Sequence, residues 1–142
     1  MKSFHTSIQI NASAEKVWNI LTDISGWPQW NTTIDKIEGS INLGGKVTVH
    51  AKASPGRAFP LVVSEFVPNQ SMVWTGGMPL GLFTGRRTYT ISSAEGSSVK
   101  FSMSESFTGL MTPLITRSIP DLQPSFDEFA QCLKKHAESS VT

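Results

Sequence analysis

The sequence predicts an α+β fold in which a curved antiparallel sheet of seven strands wraps around one long C-terminal helix, with two short helices after the first strand. Three observations lead there. From Ile34 to Phe107 apolar and polar residues alternate with the period of strands, and the runs are broken only by short turns rich in Gly, Pro, Asn and Ser. Connections that brief join antiparallel neighbours, because a parallel crossover needs a dozen residues or more. The last part of the chain carries one apolar stripe at helical spacing, which a curled sheet can cover.

The elements follow in order. Phe4, Thr6, Ile8 and Ile10 alternate with Ser3, His5, Ser7 and Gln9, which predicts a first strand with one buried face. In NASAEKVWNILTD, Ser13 is placed to cap a helix whose apolar positions are Val17, Ile20, Leu21 and Ile24. In SGWPQWN, Gly26 and Pro28 limit any continuation to a short second helix, and Pro28 biases Trp27 away from the α region. Trp27 and Trp30 then share a face that seals the core, with Trp30 the one nearer the interior space. Six strands are expected at 34–39, 46–53, 61–67, 71–76, 82–92 and 98–107, joined as a meander. Thr112 can cap a further helix that has Pro113 at its first position, and Pro120 and Pro124 should kink or break it. Its stripe is Leu122, Phe126, Phe129, Ala130, Leu133 and Ala137, opposite Asp127, Glu128, Gln131, Lys134, Lys135 and Glu138. No repeat or linker interrupts the 142 residues, so one domain, 1–142, is expected.

Composition excludes several functions. A net charge of +1 without a Lys/Arg cluster argues against nucleic acid and anionic lipid as partners. No apolar run is long enough for a membrane span, and the opening residues carry no apolar h-region, so a cytoplasmic monomer or homodimer is expected. His5, His50 and His136 have no ligand-spaced neighbours, and no cofactor or metal is expected. His50 should face outward. Cys132 cannot form an internal disulfide and is expected as a buried, inert thiol. GSINLGGKV lacks the Gly-Lys-Ser/Thr ending of a phosphate loop, and no Gly-x-Ser-x-Gly elbow is present.

INASAEKVWNILTDISGWPQW, VVSEFVPNQSMVW and FDEFAQCLKKHAE together resemble the START-like (SRPBCC) superfamily, and within it proteins of the polyketide cyclase/dehydratase type. The resemblance covers nearly the whole chain. It implies a helix-grip fold with an elongated cavity between sheet and C-terminal helix that holds a small, mostly apolar molecule. It implies no particular reaction, since members include carriers, receptors and enzymes.

Strand alternation names the groups aimed at that space. Val99, Phe101, Met103, Glu105 and Phe107 share one phase, and Phe83, Arg87, Tyr89 and Ile91 share the corresponding phase of the preceding strand, while Arg86 faces out. Glu105 and Arg87 either neutralise each other or contact the polar end of a ligand. In an enzyme, Glu105 or Tyr89 would move a proton. The expected lining is Trp30, Trp74, Phe83, Arg87, Tyr89, Phe101, Met103, Glu105, Phe107, Ile119, Leu122 and Phe126, with Met78 and Met111 as adaptable additions. The expected function is a carrier or sensor for a small hydrophobic molecule. The alternatives are a cyclase or dehydratase using the same cavity, and a protein-interaction module.

Overall fold

The structure is a computed structural model that describes residues 2–52, 56, 58–78, 80–115 and 121–139. Its order is β1 (Lys2–Ile10), α1 (Ala14–Thr22), a 3₁₀ turn (Ile24–Gly26), α2 (Trp27–Trp30), β2 (Ile34–Gly39), β3 (Lys46–Ala51), β4 (Phe59–Val67), β5 (Ser71–Met78), β6 (Phe83–Ser93), β7 (Val99–Thr108), α3 (Thr112–Ile115) and α4 (Gln123–Ser139). The strands form one antiparallel sheet in the order β1-β7-β6-β5-β4-β3-β2. From β2 to β7 this is a meander, and β1 closes on β7. Each predicted strand is present. Ala53, Ile119 and Pro120, together with the Met78 side chain, lie outside the described residues.

Local chemistry sets the helix limits. The Ser13 hydroxyl accepts from the Lys16 N–H at 3.1 Å and so satisfies one of the free donors of the first turn of α1. At the other end of the chain, Leu122 precedes α4, and its carbonyl accepts from the Phe126 N–H at 3.0 Å. Pro124 thus falls in the first turn of α4, where its missing donor is harmless. The α4 stripe of Phe126, Phe129, Ala130, Leu133 and Ala137 is buried against the concave sheet face. Each large side chain of it contributes roughly 2 kcal/mol by leaving water.

The polar side of α4 has its own task, because β1 is an edge strand whose unpaired backbone groups need partners. Gln123 donates to the His5 carbonyl at 2.7 Å, and Lys134 donates to the Gln9 carbonyl at 2.7 Å. The Asn11 N–H donates to Glu138 at 2.8 Å, and with Lys134 it holds that carboxyl below the usual carboxylate range. The Thr6 hydroxyl donates to Asp127 at 2.9 Å.

Two local expectations fail. Trp27 adopts φ −55° and ψ −41°, inside the α region, despite the proline that follows. Packing overrides the preference. The Trp27 ring lies 5.8 Å from Trp74, 5.6 Å from Trp30 and 5.4 Å from Phe129, and its indole N–H donates to the Leu21 carbonyl at 3.1 Å. Cys132 is also half-buried rather than buried, with its Sγ 3.4 Å from the Thr32 hydroxyl. Position 132 sits at the border of the α4 stripe, where α2 ends and the cover is incomplete.

Trp27 is 1% exposed, so its removal leaves a void that its neighbours cannot close and an unmatched Leu21 carbonyl. Trp27→Ala is expected to lower unfolding free energy by about 4 kcal/mol and Trp27→Phe by clearly less. Chemical denaturation measures both, and equal losses for the two variants would show that the ring contacts are not what matters.

Candidate functional site

A cavity of about 300 Å³ lies between the sheet and the start of α4. Its sheet wall is built by Trp74, Gly76 and Gly77 of β5, Phe83, Gly85 and Arg87 of β6, and Met103, Glu105 and Phe107 of β7. Val49 and Ala51 of β3 and Phe59, Pro60 and Leu61 of β4 continue the wall, and Thr33 and Ile34 close one end. Leu122, Ser125, Phe126 and Phe129 form the helical wall.

The space exists because of what the sequence leaves out. Gly76 and Gly85 are directly opposed across β5 and β6. A Cβ at Gly76 would come within 2.7 Å of the Pro60 carbonyl oxygen and the Leu61 side chain, and one at Gly85 would come within 3.3 Å of the Phe107 ring. A side chain at Gly76 would have to displace the β4 wall, and one at Gly85 would press on the Phe107 ring. Beyond the glycine pair the same two strands carry Trp74 opposite Arg87, then Met72 opposite Tyr89, which are large and fill the interior. The change from glycine to large side chains ends the cavity on that side.

Arg87 and Glu105 are cross-strand partners in the β6–β7 register. The Arg87 Nε–H donates to Glu105 Oε1 at 2.5 Å, and the side chains are only 21% and 13% exposed, so solvent screens the pair little. The guanidinium also lies over the Phe126 ring, 5.2 Å from its centre. Burial works against the charged guanidinium, but the Glu105 carboxylate, followed by Tyr89, outweighs it and holds the Arg87 pKa above its ordinary range. Arg86, one residue earlier, faces out and pairs with Glu65 on the far side of the sheet.

The Tyr89 hydroxyl is buried and makes no well-formed hydrogen bond among the described residues, although it lies within electrostatic reach of Arg87. Burial pushes this phenol above its ordinary value of 10.0, and the nearby guanidinium offsets the rise only in part. Trp74 Nε1 is likewise buried without a partner among the described residues.

Of the lining residues expected from sequence, Trp74, Phe83, Arg87, Met103, Glu105, Phe107, Leu122 and Phe126 come together on this one cavity. Tyr89 and Phe101 do not reach it. They have the right phase but lie farther along their strands, buried against Phe129. Trp30 is also elsewhere. It stacks on His136 at 6.1 Å beside an open groove of about 500 Å³, whose other lining includes Glu15, Lys16, Asn19, Asp23 and Gln29. That groove is larger but open and polar, and it lacks the enclosure a small ligand needs. Ile119 lies outside the described residues, and Met111 is half-buried off the lining.

Sequence reasoning misses Phe59, Pro60 and Leu61 because SPGRAFP reads as a turn, which leaves Leu61 as no more than a strand start. It misses Ser125 and Phe129 because helical periodicity gives a buried face without saying which part of it borders a space. His50 faces outward as expected, 3.6 Å from Glu38. Among the described residues no helix is long and apolar enough to cross a membrane, and no group of three or more His, Cys, Asp or Glu could hold a metal ion.

Comparison with known proteins bears on what such a cavity holds. A family model described as "Polyketide cyclase / dehydrase and lipid transport" matches residues 1–138. The oxopyrrolidines biosynthesis cluster protein O of Penicillium oxalicum is 32% identical over 84 residues, covering 46% of this chain and 42% of that protein. The match thus spans less than half the length of that curated relative. Among solved structures, a START superfamily protein from Mycobacterium smegmatis superposes with a TM-score of 0.70 at 15% identity, covering 96% of this chain and 97% of the other. Norcoclaurine synthase from Thalictrum flavum, in complex with dopamine and hydroxybenzaldehyde, gives 0.73 at 14% identity, with 99% and 88% covered. A hypothetical protein from Helicobacter pylori gives 0.77 at 13% identity, with 96% and 88% covered. At such identities the likeness is one of fold, and it establishes the helix-grip architecture.

Two outcomes test this electrostatic arrangement. Arg87→Met leaves a shielded carboxylate unpaired and is expected to cost about 3 kcal/mol, while the double variant Arg87→Met/Glu105→Gln recovers most of the loss. Additive losses in denaturation would show that the two side chains are not coupled. Tyr89 is the chain's one tyrosine, so phenolate absorbance reports on it alone. The phenolate should form near the ordinary value of 10.0 in denaturant and only at higher pH in the native protein. Stability from holding the neutral phenol is fully present below the unfolded value and is lost as pH rises through the native one. Coincident titrations would mean that the hydroxyl is solvated.

Proposed function

The chain belongs to the polyketide cyclase/dehydrase and lipid transport family, and from that premise we propose that it binds a small hydrophobic molecule between sheet and α4 as a carrier or sensor. The observation that carries this reading is the cavity itself. Its walls are apolar and aromatic except for Thr33, Ser125 and the Arg87–Glu105 pair, and a pocket of that make-up suits an apolar body with one polar end. Trp74, Phe83, Phe107, Phe126 and Phe129 hold the body, and Met103 adapts to its outline. Arg87 and Glu105 orient the polar end. On this reading the whole chain is one ligand-binding domain, acting in the cytoplasm as a monomer or homodimer without a nucleic-acid partner.

A second reading, an enzyme of the cyclase or dehydratase type, draws support from the Penicillium relative, whose name places it in a biosynthesis cluster. Such an enzyme would use Glu105 or Tyr89 to move a proton. Two features weigh against it. The Glu105 carboxylate is tied to Arg87, and the Tyr89 hydroxyl lies behind the wall. A general acid or base has to reach the atom it protonates, directly or through one water.

Native mass spectrometry of freshly purified protein is expected to show a bound species that disappears on denaturation. Ser125→Phe, which projects a ring into the cavity from α4, should abolish that species while leaving the melting temperature unchanged or raised. Retention of the same bound mass in Ser125→Phe would place the ligand elsewhere and sink the reading.

A further inference from the structure

We propose that Glu105 decides which ligands the cavity accepts: by consuming the charge of Arg87 it admits neutral molecules whose polar end carries an acceptor beside a donor, and it turns away carboxylates of the same size. The inference rests on the ligand-binding reading above and adds the chemical class of the ligand.

An arginine in an apolar cavity is by itself an anion site, since a guanidinium binds a carboxylate through two parallel N–H bonds. Here that capacity is already engaged. The β6–β7 register sets Arg87 directly opposite Glu105, and the Nε–H donates to Oε1 at 2.5 Å. Phe126 covers one face of the guanidinium, so the group is held by strand pairing and by a ring and does not swing free. Among the described residues, no other charged group lines the cavity. Thr33 and Ser125, its remaining polar members among the described residues, are neutral.

What stays available is a matched pair of groups. Among the described residues the Arg87 Nη groups and the second Glu105 oxygen make no further well-formed hydrogen bond, with Tyr89 within electrostatic reach of the guanidinium from behind the wall. They present donors next to an acceptor, which a neutral phenol, enol or hydroxy-carbonyl end completes on both sides. A carboxylate would satisfy the donors, but it would lie a few ångströms from the Glu105 charge in a shielded site, after giving up its own hydration.

The test measures binding of naphthol, naphthoate and naphthalene to the full chain by calorimetry at neutral pH, three probes with one aromatic body and different polar ends. The wild type is expected to bind naphthol at least about tenfold more tightly than naphthoate. Glu105→Gln keeps the side-chain shape and frees the guanidinium, so naphthoate affinity should rise by about tenfold or more relative to that of naphthalene. Should Glu105→Gln prove too unstable, the neutral double variant Arg87→Met/Glu105→Gln serves, and in it naphthol should lose its margin over naphthalene. Wild type that binds naphthoate as tightly as naphthol, Glu105→Gln that still rejects naphthoate, or a double variant that keeps the naphthol margin would overturn the proposal and leave the apolar pocket standing. Failure of all three probes to bind the wild type would instead overturn the ligand-binding reading, and the proposal with it.

Discussion

The packing of Phe129 on α4 is the constraint on which the other features depend. Its ring meets Trp27 and Trp30 from the short helices, both at 5.4 Å, and Tyr89 and Phe101 from the sheet, at 6.0 and 6.1 Å. Sheet, short helices and long helix thus converge on one side chain that is 3% exposed. Aromatic groups in such edge and stacked arrangements add attraction beyond the area they bury, and they fix geometry because each ring has few rotamers. With that point fixed, the remainder of α4 can only lie along the concave face. Farther along the helix the stripe continues with Leu133 and Ala137, which are smaller than the two phenylalanines and fully buried.

The same constraint explains why a cavity survives in a protein whose core is otherwise well filled. On the far side of Phe129 the sheet supplies Tyr89, Phe101 and Met72, all fully buried. On the near side it supplies Gly76 and Gly85, and β3 supplies Ala51. The helix is held off by Phe126 and Phe129, and beside the Arg87 guanidinium that lies over Phe126 the two glycines leave the space open. A close-packed interior would ordinarily collapse into such a gap, but strands locked in register from β2 to β7 resist moving as a unit. Phe129 therefore belongs both to the core and to the cavity wall.

These relations divide what sequence reveals from what it conceals. Alternation along β6 and β7 identifies Arg87 and Glu105 as facing one interior, and the short turn between the strands implies their register, because both signals are local. The capping by Ser13 and the stripe on α4 are legible for the same reason. Depth along a strand is not. Tyr89 and Arg87 share a phase, yet one is sealed in the core and the other borders a space, and the difference lies in what α4 places above each. Trp30 shows the complementary failure. Its spacing from Trp27 correctly puts both on one face, but only the tertiary packing turns Trp30 toward His136 and away from the cavity. The αR backbone of Trp27 likewise follows from contacts with Trp74 and Phe129, which a local preference before proline cannot anticipate.

The ion pair gives the cavity a character that neither its shape nor its apolar walls would confer. Replacing a shielded pair with apolar residues of similar volume is often neutral or stabilising, so stability alone gives little reason for Arg87 and Glu105 to sit where they do. Both could have faced outward, as the neighbouring Arg86 does in its pairing with Glu65 on the outer surface of the sheet. Placed inward, they cost desolvation and leave donors and an acceptor exposed to the space between sheet and helix. A wall that only had to be sealed would avoid such groups, whereas a wall that must hold one end of a molecule in a fixed orientation requires them. The pair engages one oxygen of the Glu105 carboxylate and leaves the other facing the space, while the one phenol is buried behind it.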